Sequence, residues 1–151
     1  MDAQEKLMSD YGQFKFKYRS DMPSQLKGLI HRDVIYLNKE CGYRERTQII
    51  AEEIGHGLTS AGDITAYNTA DKRQQENIAR LWGVERLVSL DGLIKAWKLG
   101  MDNLNDLADY FEVTPKYLVG ALQTYCDKYG EQFDYSGYRF DLSSGIQIRK
   151  I

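Results

Sequence analysis

Cysteine and proline are nearly missing from this chain: 151 residues hold two of each. Cys41 and Cys126 show no CxxC spacing. They read as two reduced thiols, packed as small residues in an intracellular protein. Two prolines and 13 glycines exclude a low-complexity or collagen-like chain. Long apolar runs are missing too. The longest are a few residues, such as Val34-Ile35-Tyr36-Leu37, against the roughly 20 that a membrane helix needs. No membrane partner is expected. An excess of one charge is also lacking, with 20 basic residues against 22 acidic ones and a net charge of −2. That balance argues against a dedicated nucleic-acid binder, which shows a basic face. The opening Met1-Asp2-Ala3-Gln4-Glu5-Lys6 has no basic stretch followed by an apolar one. It reads as no signal peptide, so a cytoplasmic location is expected.

The chain does have enough apolar residues, 42%, beside 28% charged ones, to build a core. The length fits one domain, or one domain with a small appendage. Eleven tyrosines read as half-exposed packing residues.

Periodicity gives a mixed α+β order. Leu7, Met8 and Tyr11 form a short helical stripe. Phe14, Phe16 and Tyr18 alternate with Gln13, Lys15 and Lys17, as in an edge or half-buried strand. Leu29-Ile30, a turn His31-Arg32-Asp33 and Val34 to Leu37 read as a hairpin. His31 is then a surface residue. From about Tyr43 a helix is expected, with Ile49, Ile50, Ile54 and Leu58 as its apolar stripe. A polar loop covers 65–72. A second helix runs from about Arg73 to Ser89, and Ser89-Leu90-Asp91-Gly92 interrupts the pattern. A third helix holds Leu93, Ile94 and Trp97 and stops at Gly100. A fourth covers Leu104 to Phe111. Thr114-Pro115 is a cap and first-turn signal for a fifth, reaching about Lys128. The expected division is a core over 1–90, a helical subdomain over 91–130, and a tail over 131–151 that is strand or arm.

The chemistry concentrates in Ala51-Glu52-Glu53-Ile54-Gly55-His56. Glu52 and His56, four residues apart on a helix, share one face and can chelate one cation. Glu53, rotated by about 100°, can lean toward a water at that cation, as the general base does in an HExxH helix. A catalytic site needs three protein ligands and an open position. Glu76, 20 residues after His56, is the best third ligand. Ala79 and Gly83 share its helical face, and with Gly55 they would let two backbones come close. Asp63, in the loop, is the weaker candidate. The stretch from Ile49 to Leu58 offers the carboxylates no local counter-charge. Carboxylates converging without a cation would repel and shift their pKa values. The plain competing reading of Glu-Glu-x-x-His is a solvated helix face.

The stretch Ile49-Ile50-Ala51-Glu52-Glu53-Ile54-Gly55-His56-Gly57-Leu58-Thr59 resembles the active-site helix of the ImmA/IrrE family of metallopeptidases, above all its phage and mobile-element members. Gly62-Asp63-Ile64, the run Gln74 to Trp82, Leu26 to Leu29, Val34 to Leu37, and Phe111 to Leu118 before Tyr129-Gly130 are similar to that family as well. The likeness covers about residues 1 to 130, and the tail beyond Glu131 carries none. The resemblance implies a mainly helical, zincin-like domain. A small N-terminal β-sheet would pack on the active-site helix, and a C-terminal helical bundle would follow. It implies a metal-dependent endopeptidase that cleaves or inactivates a cognate transcriptional repressor in the cytoplasm of a bacterial host. Glu53 would be the general base, and His56 and Glu76 metal ligands. Glu52 stands where the family usually has its first histidine. A Glu52/His56/Glu76 set is harder than one with two histidines, so zinc is expected, with manganese or iron more competitive. Tyr67 is a candidate donor to the transition state, and the strand Val34 to Leu37 a candidate edge for an extended substrate.

Two other classes compete. Leu104 to Phe111, the turn Glu112-Val113-Thr114 and Pro115 to Lys128 have the outline of a DNA-binding helix-turn-helix. Between Asp91 and Lys128, however, four basic residues face six acidic ones, where phosphate contacts want a positive surface. The Glu52 departure motivates a third class, an antirepressor that binds the repressor without cutting it.

Overall fold

The computed structural model describes residues 1–59 and 69–151, and the chain divides into two compact units, Met1–Arg86 and Leu87–Ile151. The architecture is α+β.

In the first unit, α1 (Ala3–Asp10) opens on a capping box. Asp2 accepts the Glu5 backbone N–H at 2.8 Å, and the Glu5 carboxylate accepts that of Asp2 at 3.3 Å. Its buried Gln4 donates to Thr47 Oγ1 at 2.9 Å and to the Tyr43 carbonyl at 3.1 Å. That ties α1 to the start of α2 (Tyr43–Thr59). Strands β1 (Lys15–Arg19), β2 (Gly28–His31) and β3 (Val34–Asn38) form one sheet in the order β1-β3-β2. β1 runs parallel to β3 and β2 antiparallel to it. The alternation of each strand sets its faces. Ile35 and Leu37 are fully buried, and β2 and β3 lie against α2. The expected small sheet on the glutamate-bearing helix is therefore present.

Several details differ from expectation. The hairpin turn is only Arg32-Asp33, with Arg32 left-handed at φ 58°. His31 belongs to β2, opposite Val34, and is exposed. β3 is the central strand, so it has no free edge for a substrate; the hydrophobic run could not reveal which neighbours it would pair with. On α2 the buried stripe is Thr47, Ile50, Ala51, Ile54 and Gly55, while Leu58 is exposed. Helix α3 (Thr69–Leu87) begins four residues before the expected start at Arg73.

In the second unit, Ser89 is the N-cap of α4 (Leu90–Lys98), accepting from the Gly92 N–H at 2.9 Å. The apparent interruption is a cap and a first turn. Helix α5 (Leu104–Phe111) ends on Glu112 in the left-handed conformation, and Val113 returns its N–H to the Ala108 carbonyl at 3.0 Å. Thr114 caps α6 (Pro115–Tyr129). The Tyr125 hydroxyl donates to the Val88 carbonyl at 2.7 Å, both groups buried. The segment expected as strand or arm forms an antiparallel sheet of β4 (Gln132–Tyr135), β5 (Tyr138–Asp141) and β6 (Gln147–Lys150). Its β4–β5 turn, Ser136-Gly137, has both residues at positive φ, as a tight hairpin requires. Phe140 is fully buried and stacks on Phe133 at 5.0 Å. Among the described residues no helix is long and apolar enough to cross a membrane.

Candidate metal centre

Small residues bring the two long helices of the first unit together. A Cβ added to Gly55 would stand 2.7 Å from the Ala79 carbonyl oxygen, and one added to Gly83 would stand 3.4 Å from the Ala51 Cβ. The helices therefore meet nearly backbone to backbone along Ala51, Gly55, Ala79 and Gly83. Ile78, expected in an apolar stripe, is exposed, because the small face of α3 is the buried one. Trp82 turns away from that seam and packs its ring on Tyr11 at 5.1 Å, with the Arg86 guanidinium 4.6 Å from the ring centre.

This approach carries Glu76 over His56. Glu76 Oε2 lies 3.3 Å from His56 Nε2. One turn earlier on α2, Glu52 joins them, and one ligand atom from each of Glu52, His56 and Glu76 lies within 4.8 Å of the others. Oxygen and nitrogen ligands about 2.0–2.2 Å from a tetrahedral zinc stand roughly 3.3–3.5 Å apart. The His56–Glu76 pair already has that spacing. The Glu76 side chain is 57% exposed, whereas that of His56 is 17% exposed. Two carboxylates and an imidazole converging on one point fit a divalent cation by donor chemistry, and among the described residues no lysine or arginine is ion-paired to them.

Glu53 sits beside this cluster rather than in it. Its carboxyl is pushed up to about 7, first by burial. His56 opposes the rise, Glu52 and Glu76 add to it, and the backbone N–H of Ile30 opposes it. In the metal-free protein Glu53 therefore exchanges its proton near neutral pH, where a general base works best. The strand residue Ile30 was missed by sequence reasoning because a main-chain N–H leaves no mark in the sequence. Gly28, whose added Cβ would lie 3.4 Å from Glu53 Cγ, was a visible signal that some backbone comes close there. Asp63 and Tyr67 lie outside the described residues.

Glu52, His56 and Glu76 thus come together, with Glu53 beside them. The family model of the M78 peptidases, described as the IrrE N-terminal-like domain, matches residues 7–122. Comparison with curated proteins gives no match.

Proposed function

Given that the chain belongs to the M78 peptidase family of the IrrE N-terminal-like domain, we propose that it is a metal-dependent endopeptidase whose cation is held by Glu52, His56 and Glu76. The convergence of those three ligand atoms within 4.8 Å carries the reading. A divalent cation there would supply Lewis acidity toward a peptide carbonyl and toward water. Glu53 takes the proton from the attacking water as the new C–O bond forms. It then hands the proton to the departing amide nitrogen as the C–N bond breaks. Burial raises this carboxyl in the metal-free protein to about 7, close to the pH at which both transfers are feasible. Tyr67 is proposed as a further donor to the developing oxyanion.

The strand available to an extended substrate is β2. Among the described strands it pairs only with β3, and its free side lies next to Glu53. A peptide added there would run past the base by main-chain hydrogen bonding to the outward groups of Gly28 and to the Ile30 carbonyl. The substrate we propose is a transcriptional repressor of a phage or mobile element, met in the cytoplasm of a bacterial host. This part rests on the resemblance of the active-site helix to the ImmA/IrrE peptidases. The Glu/His/Glu set makes zinc the first candidate and manganese or iron close competitors.

The test has two stages. Untagged protein purified without chelator is analysed for zinc, manganese and iron beside His56→Ala and Glu76→Ala. Near-stoichiometric metal, removed by both substitutions, is expected. The loaded protein is then incubated with the repressor encoded beside it, together with Glu53→Gln. Cleavage by the parent alone is expected. Repressor binding without cleavage, unchanged by Glu53→Gln, would make the protein an antirepressor instead.

A further inference from the structure

The β2–β3 hairpin fixes which of its N–H groups point outward. The Asn38 N–H donates to the Lys27 carbonyl at 2.9 Å, so Lys27 and Asn38 form a hydrogen-bonded pair. In an antiparallel ladder bonded and non-bonded pairs alternate. Following the register, Gly28 and Leu37 are non-bonded, Leu29 and Tyr36 bonded, and Ile30 and Ile35 non-bonded. The N–H groups of Gly28 and Ile30 therefore face away from β3, along the open side of the strand. The side chains of the same two residues face α2. A Cβ on Gly28 would collide with Ile49 Cγ2 and lie 3.4 Å from Glu53 Cγ. A Cβ on Gly57 would lie 2.7 Å from Ile30 Cδ1. Residues 28 and 30 thus straddle Glu53.

We propose that the outward N–H of Ile30 is the positioning donor for the Glu53 carboxylate, and that Gly28 is the seat that lets β2 approach α2 closely enough to make this contact. Ile30 does not touch the reacting atoms; it acts through Glu53. The donor holds one carboxylate oxygen, which leaves the other free to face the cluster of Glu52, His56 and Glu76. A larger residue at 28 would lift the strand off Ile49 and take the donor with it. The catalytic part of this inference rests on Glu53 being the base, whereas the contact itself does not.

The experiment has two arms. In the first, amide hydrogen exchange is followed by NMR in full-length, metal-free protein and in Glu53→Ala. Ile30 should exchange at least about tenfold more slowly in the parent than in the variant, with the ladder-bonded Leu29 and Tyr36 amides unchanged. Equal Ile30 exchange in the two proteins would overturn the contact. In the second arm, full-length protein is made by joining a synthetic 1–40 segment to 41–151 at Cys41, with an ester replacing the amide at Ile30. Because this N–H faces outward, the ester removes no ladder donor; it only weakens the Leu29 carbonyl as acceptor of the Tyr36 N–H. Expected is a loss of about 100-fold in kcat, the scale of general-base catalysis, with KM and metal content unchanged and only the small fall in Tm that the weaker Leu29 acceptor brings. Gly28→Ala should show the same kcat loss. An ester protein with parental kcat would overturn the positioning role. If the parent itself cleaves nothing, the peptidase reading fails, and the exchange arm still decides whether Ile30 holds Glu53.

Discussion

Gly55 on α2 lies under the carbonyl of Ala79 on α3, so close that an added Cβ would stand 2.7 Å from that oxygen. The two residues have no chemistry of their own. They set the distance between the helix that carries Glu52, Glu53 and His56 and the helix that carries Glu76. Glu76 lies one turn before Ala79, so the same closeness that buries Ala79 delivers a carboxylate to His56 at 3.3 Å.

Gly55→Ala therefore tests the site without touching a ligand. The obstacle is backbone, which cannot turn aside as a side chain would. The helices must separate, at a cost of about 1–3 kcal/mol in stability. Metal affinity should fall by roughly tenfold or more, the scale seen when groups supporting a metal site are displaced. Thermal unfolding of the metal-free protein and a zinc titration check both halves. An alanine protein with parental zinc affinity would show that the seam does not set the site.

Glu52→His should restore the donor pair usual in HExxH helices. Replacing a carboxylate by an imidazole softens the site and removes one negative charge. Zinc should gain over manganese by about tenfold or more in direct competition. The measurement is the metal ratio at equilibrium with both ions present. An unchanged ratio would mean that Glu52 is not a ligand.

What could be read from the sequence follows the caps and the small residues. The start of α6 is legible because Thr114 caps it and Pro115 fits its first turn. The seam was readable because Gly55, Ala79 and Gly83 recur at helical spacing, and a glutamate stood on the same face. The central place of β3 was not readable. Val34 to Leu37 says only that the strand is buried, while its parallel pairing with β1 is a choice made across the fold. The terminal sheet was half hidden. Ser136-Gly137 marks a turn, but β4, β5 and β6 are four residues each and too short to show a firm period. The contact we propose between Ile30 and Glu53 is made by main chain, to which no residue type corresponds.

Tyr125→Phe probes the second unit. The hydroxyl donates to the Val88 carbonyl at 2.7 Å in a buried setting, and its removal leaves that acceptor without this donor. The expected loss is about 1–2 kcal/mol, read as a lower urea midpoint with an unchanged slope. A change below about 0.3 kcal/mol would mean that another group satisfies Val88 as well.

The raised carboxyl of Glu53 makes the metal-free protein pH-sensitive in a window that its exposed carboxylates do not share. Asp134 and Asp141 are held below their usual 3.8 by the Arg139 side chain and by Ser143, so they lose their contribution only in stronger acid. Glu53 has the opposite sign. Its folded value of about 7 stands above the ordinary 4.5, so the folded state binds this proton more tightly than the unfolded chain. The resulting stability is full below pH 4.5 and is lost as the pH rises toward 7. A rise of about 2.5 units corresponds to about 3 kcal/mol. In Glu53→Gln this group no longer titrates, and the difference in stability between parent and variant should move in the variant's favour by about that amount from pH 4.5 to 7.5. Urea unfolding in chelator at four or five pH values measures it. If the difference stays constant with pH, Glu53 is not the buried, proton-holding carboxyl that the proposed base requires.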